Sequence, residues 1–402
     1  MLNQVAVSTA IPDHVPDGLV IDFDMARCDR PDGDIHRYWK ENAQDDRPAI
    51  FWTPRHGGHW VVTRLEDLIA IQADSAHFSN AEFVIPRGVV PRLIPLQLDP
   101  PEHTPYRRLM MPFFIPRALA EIEAKARAVA IDLIEGVKPQ GGCEFVKDFA
   151  GTMPIIAFLT MMRLPEDDLE MLRSHAVLAS KPHYPGSAEA WEALSSYIRH
   201  WIAERRVRPG DDPLSATIHG RVGDAPLSDE DVFSMCLLLL TGGLDTVASM
   251  MAFIAHFLAT HPDHRRQLRD QPDLIPNAVQ ELARRFGISN IARIVKQDVA
   301  YGGVTFHKDD MVLLPMALGG LDDHATERPL DVDFARASPR HTAWGTGIHA
   351  CPGRVLSQRE IAIFLQEWLT RIPEFTLDPD DPPVFTTSLI NSCESLPLRW
   401  AV

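Results

Sequence analysis

A mainly helical α+β chain with small β hairpins, folded as one large unit, is predicted by three observations. An apolar stretch, Cys236 to Ala259, is long enough to run through the middle of a large core. Four further segments carry apolar residues three and four apart, the spacing of a helix face. Strand character is confined to short runs that turn at paired glycines or paired acids. The 402 residues show no internal repeat, linker or shift in composition, and the 33 prolines are scattered as helix stops and loop punctuation, so a single domain over 1–402 is expected.

In chain order, Ile50 to Val62 reads as a hairpin turning at Gly57-Gly58. Arg117 to Val137 and Ala188 to Val207 read as helices. The stretch CLLLLTGGLDTVASMMAFIAHFLA then has the length of a membrane span. Asp245 at its middle, the pair Gly242-Gly243 and the preceding Asp229, Glu230 and Asp231 argue instead for one very long helix buried in a soluble core. Ser228 with Asp231 three residues on marks its start, and Thr260-His261-Pro262 its end. Helices follow over Pro276 to Phe286 and Arg354 to Ile372. Strands are expected from Val299 to Leu314, turning at Gly302-Gly303 and again near Asp309-Asp310, and over roughly the last thirty residues.

Composition excludes several classes. With 45% hydrophobic and 23% charged residues the chain is neither disordered nor fibrous. A formal charge of −16 predicts no nucleic-acid partner and no anionic membrane. Cys28, Cys143, Cys236, Cys351 and Cys393 form no CxxC pair and no disulfide framework, which points to the cytoplasm. Met1 to Val7 lacks the basic start and long apolar run of a secretory leader.

The most informative segment is Ala343-Trp344-Gly345-Thr346-Gly347-Ile348-His349-Ala350-Cys351-Pro352-Gly353-Arg354. Glycines beside a cysteine let the backbone fold tightly and a flat ligand approach. Cys351 precedes a helical pattern, where the dipole and free N–H groups favour thiolate, a ready metal ligand. Three readings compete. A cysteine taken at random is most often buried structure. Gly345, Gly347 and Ala350 fit a dinucleotide fingerprint, but Ser338 to Thr342 is not a convincing strand and no βαβ units surround it. The third reading is axial thiolate ligation of haem iron.

That segment closely resembles the haem-binding loop of the cytochrome P-450 family, with Trp344 where phenylalanine is usual and Gly345, Gly347, His349, Cys351 and Gly353 matching. The resemblance implies haem b held by Cys351 and a long helix crossing over the haem. Glu281 and Arg284, three apart and on their own an ordinary surface pair worth ~0.5 kcal/mol, resemble the family's buried structural pair. For the third partner of that pair the nearest match is Asp331, where the family usually has Arg or His. Thr241-Gly242-Gly243-Leu244-Asp245-Thr246 resembles the acid-alcohol pair that relays protons to dioxygen, making Asp245 and Thr246 the expected catalytic residues. Two mid-helix glycines each cost ~1 kcal/mol, and an acid in an apolar helix is costly without a task. His103 and Arg107 resemble the family's haem clamp; Arg293 and His349 match two further propionate contacts.

Segments such as Gly57-Gly58-His59-Trp60, Leu98-Asp99-Pro100-Pro101-Glu102 and Glu367 to Pro373 resemble the bacterial camphor-hydroxylating subfamily over essentially the whole chain. One departure matters: the loop Val84 to Pro95 lacks the tyrosine that holds the camphor ketone, and Pro91 falls at its place. By resemblance the pocket candidates are Val84, Leu238, Ile288, Leu389 and Ile390, with Thr241 and Ser289 as hydroxyls; each is equally compatible with ordinary core. An apolar pocket with few donors suits a terpenoid or norisoprenoid such as an ionone. With no flavin domain in the 402 residues, a [2Fe-2S] ferredoxin and its reductase are the expected partners, docking on Arg107, Arg108, Arg354 and Arg359. A peroxide-driven peroxygenase and a non-catalytic haem sensor are the rival readings.

Overall fold

The computed structural model describes residues 9–402 apart from 29, 31, 32 and 183; the stretch read for a leader lies outside the described residues. The N-terminal part contains helices α1 (Ile35–Ala43), α2 (Leu65–Ala73), α3 (His103–Met110) and α4 (Ala120–Val137). Next come α5 (Met153–Met162), α6 (Leu169–Ala179), α7 (Ser187–Val207) and α8 (Pro213–Ile218). The centre and C-terminal part hold α9 (Asp229–Gly242), α10 (Thr246–Thr260), α11 (Pro262–Asp270), α12 (Ile275–Arg285), α13 (Met316–Gly320) and α14 (Arg354–Arg371).

The strands are short. They are β1 (Ile50–Thr53), β2 (His59–Val62), β3 (Phe78–Ser79), β4 (Gly142–Glu144), β5 (Arg221–Val222), β6 (Ala225–Pro226) and β7 (Asn290–Val295). The remainder are β8 (Val299–Tyr301), β9 (Val304–Phe306), β10 (Met311–Pro315), β11 (Thr376–Leu377), β12 (Val384–Thr386), β13 (Ser392–Ser395) and β14 (Pro397–Arg399). A five-stranded sheet runs β1-β2-β10-β7-β3, and a smaller one β11-β14-β4. The helix-dominated α+β fold expected from the sequence is therefore present, and four of its long helices begin or end within three residues of the predicted limits.

Two elements differ from expectation. The central apolar stretch is two helices, because α9 stops at Gly242 and α10 begins only at Thr246, with Asp245 between them out of helical geometry. Ser228 caps α9 by accepting from the Asp231 N–H at 3.1 Å, as the sequence predicts. Taken together these helices are long and apolar enough to cross a membrane, yet 67% of the most apolar window is buried inside the protein. The second difference concerns the strand after Asp309-Asp310. It does not fold back on β9; β10 pairs with β7 and, in parallel, with β2. Asp310 explains the change of direction, since its Oδ2 accepts from Trp60 Nε1 on β2 at 2.8 Å and from the His307 N–H at 2.9 Å.

The main core lies among α4, α5, α9, α10, α12 and α14, while two smaller apolar clusters cover the faces of the five-stranded sheet. Trp368 on α14 is fully buried, meeting Phe145, Phe149, Phe364 and Phe375 mostly edge to face. This packing fixes α14, and with it the loop just before the helix that carries Cys351.

Candidate active site

A cavity of about 320 Å³ separates the α9–α10 break from the cysteine loop. Its floor is Trp344 to Gly353. Gly345 and Gly347 both have φ of +66°, a conformation an L side chain rarely adopts. Space is not the constraint there, because a methyl group at either would meet nothing closer than 3.5 Å. The Cys351 N–H donates to the Trp344 carbonyl at 2.8 Å, and Trp344 Nε1 donates to Ser357 on α14 at 2.8 Å. Arg107 on α3 closes over the loop and donates to the Ala350 carbonyl. Cys351 is open to the cavity, but its depth in the protein pushes the free thiol up, whereas the N–H groups of Gly353 and Arg354 and the Arg107 guanidinium favour thiolate.

One side of the cavity is basic. Arg293 on β7 is 1% exposed, and burial lowers its pKa to about 10. Its Nη1 donates to the Ala292 carbonyl at 2.8 Å, but among the described residues Nη2 has no partner. Both ring nitrogens of His103 and Nε2 of His349 are likewise buried without one, and the two rings stand edge to face at 4.5 Å. Burial, followed by the charge of Arg293, lowers His349 to about 3. Buried donors left unpaired are expensive. Four such groups around one cavity edge, with a sulfur at the floor, fit a planar iron macrocycle bearing carboxylates.

Above the floor, Gly243 and Thr246 line the cavity, and Asp245 is not part of its wall. Asp245 is 8% exposed, and burial raises its carboxyl; the neighbouring Ser180, whose hydroxyl donates to the Val177 carbonyl at 2.9 Å, and the charge of Lys181 oppose that rise, and Glu394 reinforces it.

Of the sequence-based pocket residues, Leu238, Ile288 and Ser289 line the cavity. Val84, Thr241, Leu389 and Ile390 lie outside its wall. The Thr241 hydroxyl donates back to the Leu237 carbonyl at 2.9 Å, as helical threonines do. Val84 is buried in the main core. Residues 389–391 pair behind the strand that follows Ile288, with the Asn290 N–H donating to the Leu389 carbonyl and Ser289 bridging Ile390. Phe158 and Met161 on α5, and Glu360 on α14, form part of the wall and were not anticipated. The run MPIIAFLTMM is apolar all round, so no periodicity singles out its cavity face.

The third partner of Glu281 and Arg284 is Arg336. Asp331 contributes only its backbone carbonyl, which accepts from Arg284 Nη2 at 2.9 Å. Both Glu281 and Arg284 are 0% exposed, and Arg284 also donates to the Gly320 and Pro329 carbonyls at 2.6 and 2.7 Å.

Comparison with known proteins agrees with this geometry. The family model for cytochrome P450 matches residues 157–392. A probable cytochrome P450 127A1 of Sinorhizobium fredii is 32% identical over 402 residues, covering 97% of each chain. Nocardicin C N-oxygenase of Nocardia uniformis is 32% identical over 85% of this chain and 89% of its own. Among solved structures, CYP101J2 superposes with a TM-score of 0.90 at 36% identity, and CYP101C1 with 0.89 at 37%, each covering 98% of this chain and 100% of its own. Agreement over nearly the full length, on a fold that brings a lone cysteine under a cavity edged with unpaired basic groups, makes the chain a member of the cytochrome P450 family, a monooxygenase that holds haem b through a cysteine thiolate.

Proposed function

We propose that the protein hydroxylates an unactivated C–H bond of a small apolar terpenoid or norisoprenoid, of the ionone type, in the cytoplasm, with electrons from a [2Fe-2S] ferredoxin and its reductase. The observation that carries the substrate class is the wall above Cys351. Leu238, Val247, Met250, Phe158 and Ile288 make it apolar, and Thr246 and Ser289 bring hydroxyls to it. Such a wall selects by shape and excludes water. The loop over residues 84–95 offers no tyrosine to grip a ketone, which disfavours camphor.

In this reading Cys351 would hold the haem iron through its thiolate, and His103, Arg107, Arg293 and His349 would hold the propionates. Bound haem supplies dioxygen activation and C–H oxidation, helped by the electron density of the thiolate. Asp245, whose carboxyl is raised by burial, is the proton donor in this reading, and Thr246 passes the proton into the cavity. Arg108 and Arg354 are exposed on the cysteine side and suit an acidic ferredoxin; Arg107 and Arg359 are engaged by the Ala350 carbonyl and Glu123.

Titration of the ferric protein with ionone and with camphor, followed by turnover with ferredoxin and reductase, tests the proposal. Ionone is expected to displace the iron-bound water and be hydroxylated, with camphor much weaker. No response to any terpenoid would refute the substrate class, and equal turnover with peroxide alone would favour a peroxygenase.

A further inference from the structure

Ile288 and Ser289, which line the cavity, are pinned to a segment near the end of the chain. Asn290, the first residue of β7, donates its backbone N–H to the Leu389 carbonyl at 2.9 Å, and the Asn391 N–H returns to the Ile288 carbonyl at 2.8 Å. The Asn290 side chain adds two more bonds, its Nδ2 donating to the Ser388 carbonyl at 2.7 Å and to Asn391 Oδ1 at 2.8 Å. A carbonyl only accepts, so the amide nitrogen of Asn290 is the atom that faces Ser388. From another strand end, the Met316 N–H donates to the Ser289 carbonyl at 2.9 Å, and Met316 itself lines the cavity.

Ser289 and Ile291 belong to the cavity wall, whereas Asn290 between them does not, and neither do Ser388 and Asn391, to which it bonds. This is the alternation of a strand, with one face toward the cavity and the other toward the 388–391 segment. Both asparagines are buried, and among the described residues Asn290 Oδ1 has no partner. A buried amide with an unpaired oxygen costs stability that an apolar side chain would not. What the amide supplies is direction, because two N–H bonds to fixed acceptors hold one arrangement where apolar packing tolerates repacking.

We propose that Asn290 is a positioning residue for ligand selection: by clamping the 388–391 segment to the start of β7 it fixes where Ile288 and Ser289 stand above Cys351, and so which shapes the cavity accepts. Leu389 and Ile390, which lie outside the wall, act on the cavity only through the two residues they hold. The inference rests on the reading of Ile288 and Ser289 as ligand wall and is independent of which substrate the protein takes.

The test titrates the holoenzyme with imidazole and with 4-phenylimidazole, both of which bind haem iron directly, and follows the optical difference spectrum. Imidazole is too small to press on the wall, whereas the phenyl ring extends toward it. Wild type is compared with Asn290→Ala, Asn391→Ala and the double variant, each first checked for thiolate-ligated haem by its reduced CO spectrum. In Asn290→Ala the affinity for 4-phenylimidazole is expected to fall about three- to tenfold, the factor carried by one or two hydrogen bonds, while that for imidazole stays within about twofold. Asn391→Ala, which keeps the bond to Ser388, should show a smaller fall, and the double variant no more than Asn290→Ala alone. An unchanged ratio of the two affinities in Asn290→Ala overturns the inference, whether stability falls or both probes weaken equally. Should that variant fail to hold haem, an unchanged ratio in Asn391→Ala overturns it. Unchanged 4-phenylimidazole binding in Ile288→Ala would instead overturn the wall reading on which it rests.

Discussion

Arg336 places its Nε 3.0 and 3.1 Å from the two carboxylate oxygens of Glu281, which Arg284 already holds through Nε and Nη2 at 2.8 Å each. One buried carboxylate thus binds two guanidinium groups, tying α12 to the loop that leads toward Cys351. Glu281→Gln leaves Arg284 without a buried counter-charge and is expected to cost ~3–5 kcal/mol. Arg336→Ala leaves the Glu281–Arg284 pair intact and should cost about 1–3 kcal/mol. Denaturant titration of both variants checks the order; equal losses would refute this hierarchy.

The two adjacent glycines of the central break are predicted to behave oppositely. A methyl group on Gly242 would meet nothing within 4 Å, whereas one on Gly243 would overlap the Phe158 ring. Gly242→Ala is therefore expected to be neutral or to stabilise by up to ~1 kcal/mol. Gly243→Ala should displace Phe158 into the cavity and weaken ligand binding, with Phe158→Leu recovering part of the loss. Ligand titrations of the single and double variants decide it.

Glu360 faces the cavity from α14, and burial alone pushes its acid up to about 8. The folded protein therefore keeps this proton to a higher pH than the unfolded chain, whose reference value is 4.5. The stability gained from neutral Glu360 is present in full below that lower value and is lost as pH climbs through about 8. Glu360→Gln is expected to flatten the fall in stability between those limits and to exceed the wild type at the alkaline end by on the order of 2–4 kcal/mol. Parallel pH profiles of unfolding would contradict this.

Asp231, in the first turn of α9, holds the 84–95 loop, whose last residue, Pro95, lines the cavity. It accepts from Arg92 at 2.9 Å and from the Tyr106 hydroxyl of α3 at 3.0 Å. The loop is further tied by the Ser234 hydroxyl to the Arg92 carbonyl. Asp231→Asn is expected to raise ligand association and dissociation rates together by roughly two- to fivefold, the factor carried by a partly exposed ion pair. Stopped-flow mixing checks it, and unchanged rates would show that the loop opens elsewhere.

What the sequence made legible was local. Ser228 and Asp231, Thr260-His261-Pro262 and the glycines around Cys351 act through neighbours a few residues away, so their caps, stops and turn are found where expected. The break at residues 243–245 was foreshadowed by its paired glycines, though the apolar run hid that two helices result. Long-range partners were not legible. Arg336 reaches Glu281 across 55 positions, and β10 leaves β9 because Asp310 is bound to Trp60, 250 positions away. Cavity walls were the least visible, since the apolar residues of α5 look alike whether they face a substrate or a neighbouring helix.

We propose that a C–H bond is hydroxylated here with one atom of dioxygen as electrons arrive from ferredoxin. Turnover of ionone with ferredoxin, reductase and isotopically labelled dioxygen, followed by mass spectrometry of the product, tests it most directly. One labelled oxygen atom per hydroxylated product, falling sharply in yield per electron in Thr246→Ala, is the predicted result. Product without label, or formed at the same rate from peroxide with no ferredoxin, would contradict the account.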